Sequence, residues 1–193
     1  MSRGVEGYEC LIDFNLTLYT LTWAGSMQYP DLSSFPNVSD AGITVVDNTS
    51  EMKALIERSL PLDFGAHASI RRLESDTFPI IKLAHPDGES RTWIKREHSL
   101  ISALSMLDLP VPRVAVEPVV DDDVVCGYRM QALRKLSLEQ LQKRRNEVRS
   151  AIERLHRAGC YHGDLSFSNI IEDDKGQVIL IDFASSGSLG EDG

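Results

Sequence analysis

Residues 161–183 read YHGDLSFSNIIEDDKGQVILIDF, and the spacing inside this stretch decides the fold. Two apolar runs, Ile170-Ile171 and Val178-Ile179-Leu180-Ile181, flank Asp173-Asp174-Lys175-Gly176. Those four residues are turn chemistry, with Gly176 free to take a positive φ. A hairpin turning near Asp174-Lys175 sets Ile171 opposite Leu180 or Ile179. Asn169 and Asp182 then stand side by side at its open end. Asp164 lies five residues before Asn169, in a segment too polar and too tightly turned for helix or strand. A carboxylate, an amide and a second carboxylate therefore converge on one edge. Such oxygen ligands suit a hard cation like Mg²⁺, which takes one or two protein carboxylates and fills its other positions with water and phosphate. The third group is then free to act as a base.

The segments HGDLSFSN and IDFA resemble the catalytic loop and metal-binding motif of the protein-kinase-like superfamily, H-x-D-x-x-x-x-N followed by D-F-G. The resemblance implies Asp164 as catalytic base, Asn169 and Asp182 as Mg²⁺ ligands with Asp182 the main one, and ATP as phosphoryl donor. It implies a structural role for His162 as an anchor of the loop. Two positions depart from the pattern. Gly163 stands where regulated protein kinases carry Arg, and Ala184 where the last Gly of D-F-G would be. A Gly before the catalytic Asp is similar to aminoglycoside and choline phosphotransferases and to small atypical kinases such as the kinase subunit of the KEOPS complex.

Upstream, Lys82 interrupts the apolar run Pro79-Ile80-Ile81-Lys82-Leu83-Ala84. A Lys there either lies on an exposed edge or is held by an acid. Helical spacing over 91–107 puts Ile94, Ile101 and Leu104 on one stripe, and Glu97 falls on the same face. A carboxylate on a buried face needs a cation to compensate its desolvation, so Lys82 and Glu97 account for each other. In kinase-like proteins this pair positions the ATP phosphates. The resemblance also assigns Gly65 and Ala66, in Phe64-Gly65-Ala66-His67-Ala68, to the glycine-rich phosphate loop. The segment holds a single Gly, as an ordinary β-turn does. Met130 and Ala132, at the end of Tyr128-Arg129-Met130-Gln131-Ala132, fall at the hinge whose backbone holds adenine in this superfamily.

The remaining chain reads as follows. Residues 1–24, with Leu11, Ile12, Phe14, Leu16, Leu18 and Leu21 among threonines, suggest one or two strands, and 25–42 a loop. Ile43–Val46 suggests a short strand, and Thr49 or Ser50 caps a helix over 51–59 that Pro61 stops. Strands are expected over 64–73 and 77–84 around Glu74-Ser75-Asp76, and over 114–120 and 124–130 around Asp121-Asp122-Asp123. That acidic triplet reads as a solvated turn rather than a metal cluster. Ser137 with Gln140 forms a capping box. A helix over 144–158 ends at Gly159, with His156 on its surface or in its packing rather than a ligand. The stretch 185–193 is flexible by composition.

The chain has 193 residues, 42% hydrophobic and 25% charged, a composition suited to one core or two small lobes. Its net charge of −9 argues against nucleic-acid binding, which needs a basic footprint. Cys10, Cys126 and Cys160 have no metal spacing and read as free thiols of a reducing, cytoplasmic compartment. No run approaches the roughly 20 apolar residues of a membrane span.

These readings give an α+β, kinase-like, two-lobed fold: an antiparallel N-lobe sheet with one helix, and a reduced, mainly helical C-lobe. The expected domains are an N-terminal extension (1–60), the N-lobe (61–132) and a short C-lobe with the catalytic hairpin (133–193). The resemblance implies ATP- and Mg²⁺-dependent phosphoryl transfer to a protein Ser/Thr or a small-molecule hydroxyl. The alternative is a nucleotide-binding pseudokinase or interaction module. The superfamily's later helices have no counterpart after Phe183. The floor near Ile152, Leu165 and Phe167 is therefore expected to be exposed and covered by a second copy or a partner protein.

Overall fold

The computed structural model describes residues 7–15, 17–26, 28–74 and 77–190. Leu16, the Ser75-Asp76 part of the expected turn and the last three residues of the tail lie outside the described residues. The chain divides into two compact units, Met1–Glu57 and Arg58–Gly193.

In the first unit, alternation of apolar residues with threonine produces a hairpin. Strands β1 (Gly7–Phe14) and β2 (Thr17–Ala24) pair antiparallel from Gly7↔Ala24 to Phe14↔Thr17, and β3 (Gly42–Val45) adds to β2. One face gathers aromatics. Tyr8 stacks on its cross-strand partner Trp23 with centroids 5.7 Å apart, and Phe35 meets Phe14 and Tyr19 edge-on. Helix α1 (Ser50–Glu57) starts where Thr49 Oγ1 accepts the Met52 amide at 3.2 Å, and it buries Met52, Leu55 and Ile56.

The second unit is built on an antiparallel sheet of β4 (Ser59–Phe64), β5 (Ala68–Leu73), β6 (Ile80–Ala84), β7 (Val119–Asp121) and β8 (Val124–Met130), in the order β4-β5-β6-β8-β7. Helix α2 (Gly88–Met106) packs on β8 and β6. Asp87 caps it, accepting the Ser90 amide at 2.7 Å. Its inward stripe buries Ile94, Glu97, Ile101 and Leu104. Beyond β8 come β9 (Arg134–Lys135), α3 (Leu138–Lys143) with both bonds of its Ser137/Gln140 capping box, and α4 (Arg145–Arg157). Gly159, at φ +77, ends α4. Next come β10 (Cys160–Tyr161), a 3-10 turn (Phe167–Asn169), and the hairpin β11 (Ile170–Glu172) with β12 (Val178–Leu180). The short β13 (Gly187–Ser188) follows.

One hydrophobic cluster joins Ile94, Ile101 and Leu104 of α2 and Tyr128 of β8 to Leu155 of α4, Ile170 and Leu180 of the hairpin, and Phe183. Ile101, Leu155 and Leu180 are fully buried, each contributing about 1.5–3 kcal/mol by leaving water. Glu172, also buried, is compensated by Arg144 at 2.7 Å and Arg134 at 2.5 Å, and Arg144 further donates to the Gly176 carbonyl at 2.6 Å. The hairpin is thus clamped to the start of α4. These elements make the α+β kinase-like fold.

Several element boundaries differ from the sequence reading. Helix α1 ends at Glu57 before reaching Pro61, which sits instead in β4. Pro is tolerated there because β4 is the sheet edge, and the register shifts between Pro61 and Asp63. The expected strand over 64–73 is the end of β4, a turn at 65–67 and then β5. The next strand begins only at Ile80. Over 114–120, Val114 makes an isolated bridge to Met130, and a continuous strand starts at Val119, after Pro118 has removed a backbone donor. The tail expected to be flexible contains β13, which pairs with β10, and the Leu189 amide bonds the Gly159 carbonyl at 2.7 Å.

Candidate functional site

The hairpin positions the first group of site residues. Its register is Ile170↔Leu180 and Ile171↔Ile179, and the Ile181 amide extends the ladder to the Asn169 carbonyl at 3.0 Å. Asn169 and Asp182 therefore lie at the open end. Asn169 Nδ2 donates to the Asp164 carbonyl at 2.9 Å and to Asp164 Oδ2 at 3.3 Å. The amide holds the Asp164 carboxylate by its nitrogen, and Asn169 Oδ1 has no partner among the described residues.

The backbone around these groups is unusual. Asp182 takes φ +67, a left-handed conformation uncommon for a residue with a side chain and found disproportionately at functional sites. His162 Nε2 donates to the Ile181 carbonyl at 2.8 Å, and its ring packs on Phe183 with centroids 4.6 Å apart. It thus ties the loop bearing Asp164 to the strand end bearing Asp182. Gly163 has φ +79, and a Cβ added there would overlap the Ser185 carbonyl oxygen and lie 2.7 Å from its carbon. Backbone from both sides of the site passes too close at this point for any side chain. That gives a steric reason for Gly at the position where regulated kinases carry Arg.

The second group comes from the sheet and α2. Lys82 Nζ lies 2.9 Å from Glu97 Oε1, 2.8 Å from Glu97 Oε2 and 3.0 Å from Asp182 Oδ1. Burial alone would lower the Lys82 pKa, but the Glu97 and Asp182 carboxylates outweigh it and hold the ammonium above its ordinary value. Glu97 is 2% exposed and also accepts the Phe183 backbone amide at 3.0 Å. Burial first, then the nearby Glu97 and Asp182 charges, push the Tyr128 hydroxyl well above its usual pKa.

Among the described residues, no group of three or more His, Cys, Asp or Glu is gathered to hold a metal by itself. The donor set nevertheless fits Mg²⁺ with phosphate. Asp182 keeps 44% of its side chain exposed, Asn169 has an unengaged oxygen, and Mg²⁺ requires few protein ligands when phosphate supplies others. The contacts join Lys82, Glu97 and Asp182 into one array and Asp164 with Asn169 into another, linked through Ile181. Gly65 lies in the turn between β4 and β5, where its amide bonds the Ala68 carbonyl at 2.8 Å, followed by Ala66. Met130 is buried opposite Ile80 at the end of β8, and Ala132 is exposed just beyond it. Among the described residues, no hydrogen bond or ion pair ties these four to either array. Leu165 and Phe167 are 44% and 69% exposed, whereas Ile152 packs against the core.

The sequence reading missed one member of the array, the Phe183 amide, because a backbone donor carries no sequence signal.

A family model described as the RIO domain matches residues 68–191, a span that covers Lys82, Glu97, Asp164, Asn169 and Asp182. The chain belongs to the RIO family. RIO kinases are atypical members of the protein-kinase-like superfamily. The chain is 31% identical over 109 residues to the RIO-type serine/threonine-protein kinase Rio1 of Haloferax volcanii, covering 54% of this chain and 37% of that relative. It is also 41% identical over 58 residues to the human hormonally up-regulated neu tumor-associated kinase, 29% of this chain and 8% of that protein. The chain thus spans little more than a third of the RIO-type relative's length. No helix among the described residues is long and apolar enough to cross a membrane.

Proposed function

We propose that this RIO-family chain is an ATP- and Mg²⁺-dependent phosphotransferase whose acceptor is the hydroxyl of a protein Ser or Thr. One observation carries the reading: Lys82 Nζ touches Glu97 and Asp182 at once. Three residues from the sheet, the helix and the segment after β12 meet there, the arrangement that holding ATP phosphates calls for. The similarity to a RIO-type serine/threonine-protein kinase supports the protein acceptor over a small molecule.

Each residue then has a task. Lys82, kept charged by two carboxylates, presents a fixed cation to phosphate oxygens. Glu97 holds Lys82 in place from a buried position, so little reorganisation is needed on binding. Asp182 and Asn169 Oδ1 would hold Mg²⁺, and ATP would supply the phosphoryl group. Asp164, exposed and oriented by the Asn169 amide, accepts the proton of the attacking hydroxyl. Catalysis of this type is mostly positioning and charge neutralisation.

The test is transfer of labelled γ-phosphate from Mg²⁺-ATP to the chain itself or to a mixture of Ser- and Thr-containing peptides. Transfer that needs Mg²⁺ and disappears in Asp164→Asn is expected. Nucleotide binding without any transfer would leave a pseudokinase. No binding of Mg²⁺-nucleotide at millimolar concentration would end the reading.

A further inference from the structure

The turn between β4 and β5 joins neither array by a hydrogen bond or ion pair among the described residues, and it holds a single glycine. The Gly65 amide closes it on the Ala68 carbonyl at 2.8 Å. Gly65 does not use a positive φ, and a Cβ there would come no nearer than 3.4 Å to the Ala68 carbonyl oxygen. Glycine freedom therefore does not decide where this turn stands. Two contacts made by His67 do. The His85 amide donates to the His67 carbonyl at 2.9 Å, carrying the β5–β6 ladder one step past Ala68↔Ala84. The His67 ring stacks on Trp93 of α2, with centroids 5.3 Å apart and planes 17° from parallel.

Gly65, Ala66 and His67 are all exposed, so burial in a core does not impose this stack. Trp93 precedes Glu97 by four residues, which places the two on one face of α2. The stack thus joins the turn to α2 one helical turn from the carboxylate that holds Lys82 at 2.8 Å. The turn also stands apart from the hinge. Ala68↔Ala84 and Ile80↔Met130 mark opposite ends of β6, about 13 Å apart at about 3.3 Å per residue. A nucleotide with adenine at Met130 has only its phosphates within reach of the turn.

We infer that His67 and Trp93 are positioning residues of the triphosphate site: their stack pins the β4–β5 turn to α2, so that the turn and the Lys82–Glu97 pair meet the phosphates as one unit. This rests on the functional reading above. A glycine-rich loop must be ordered when phosphate arrives. A pinned turn with one glycine is already in place, so less freedom is lost on binding. The stack needs a ring at position 67 and not an imidazole, so His67→Phe keeps it and His67→Ala removes it.

The experiment compares calorimetric binding of a non-hydrolysable ATP analogue with Mg²⁺ and of AMP, using the full chain at one fixed pH. The variants are His67→Ala, His67→Phe, Trp93→Ala and the double alanine variant, with circular dichroism to confirm folding. His67→Ala is expected to weaken analogue binding about fivefold, the scale of one aromatic pair, and to alter AMP binding less than about twofold. His67→Phe is expected to bind the analogue within about twofold of wild type. In the Trp93→Ala background, His67→Ala is expected to add less than about twofold, because the stack is already gone. Equal losses for AMP and the analogue would assign the stack to general stability and overturn the inference. Unchanged analogue binding in His67→Ala would overturn it and leave the nucleotide site standing. Failure of Phe to restore binding would assign the effect to the imidazole itself, and independent losses at the two positions would uncouple them, and either result overturns the stack. Unfolding of either alanine variant would make the stack a requirement of the fold and likewise overturn it. A wild type that binds neither ligand removes the functional reading and this inference together.

Discussion

The backbone amide of Phe183 donates to Glu97 Oε1 at 3.0 Å, so helix α2 is hydrogen-bonded to the residue that follows Asp182. Lys82 closes the same circuit through side chains. The helix, the central sheet and the segment after β12 thus share one buried carboxylate, and a change at any of them reaches the other two.

That arrangement predicts the response to losing the cation. Lys82→Met leaves Glu97 buried with one neutral donor, the Phe183 amide, and no counter-charge. Breaking a buried pair from one side costs about 3–5 kcal/mol. Chemical denaturation should show a loss of that size. Glu97→Gln added to Lys82→Met should recover much of it, because the second change removes the stranded charge. A double variant no more stable than Lys82→Met would contradict the circuit.

Lys82 also neutralises Asp182 in the nucleotide-free state, at 3.0 Å. A divalent cation arriving alone must compete with that ammonium. In the double variant Lys82→Met/Glu97→Gln, Asp182 is free of it. Mn²⁺ binding without nucleotide, followed by electron paramagnetic resonance, is expected to tighten by roughly tenfold, a change on the order of 1.4 kcal/mol. Unaltered Mn²⁺ affinity would mean that Lys82 and the metal do not compete for Asp182.

Gly163 and Gly159 offer a matched comparison, since both have positive φ. A Cβ at Gly159 meets nothing within 4 Å, whereas at Gly163 it runs into Ser185. The left-handed backbone alone costs a non-glycine residue about 1–2 kcal/mol. For a chain of this size that lowers the melting temperature by roughly 2–8 °C. Gly159→Ala should fall in this range. Gly163→Ala should lose more, and should lose turnover as well, because Ser185 can yield only by moving the segment after Asp182. Equal melting shifts for the two variants would refute the steric argument.

Much of the site was legible in the sequence because its residues sit at breaks in strong patterns. Lys82 interrupts an apolar strand, Glu97 interrupts an apolar helix stripe, and Asn169 and Asp182 bracket a hairpin whose turn is written in Asp173–Gly176. What was not legible depended on partners distant in the chain. Gly187-Ser188 looks like linker until Cys160-Tyr161 pairs with it. Pro61 looks like a helix stop until β4 proves to be an edge strand. Local periodicity reports which face a residue uses, and it carries no information on what waits on the other side.

Asp164 and Asp182 separate chemistry from binding. Asp182→Asn removes the charge that would hold Mg²⁺ and also loosens Lys82, which loses one of its two carboxylates. Mg²⁺-dependent nucleotide binding should weaken, and turnover with it. Among the described residues, Asp164 makes no hydrogen bond or ion pair with Lys82 or Asp182, and its partner is the Asn169 amide. Asp164→Asn should therefore bind Mg²⁺-ATP nearly as wild type does and fail at proton removal. A general base typically contributes about 10²–10⁴-fold, so the loss should be of that order and fall on kcat while KM for ATP stays level. Binding is measured by calorimetry and turnover by phosphate transfer, on the same preparations. If wild type turns over and Asp164→Asn keeps more than a tenth of its kcat, Asp164 is not the base. If wild type binds but does not turn over, Asp182→Asn should still weaken binding while Asp164→Asn changes nothing, the behaviour of a nucleotide-binding module built on the same hairpin.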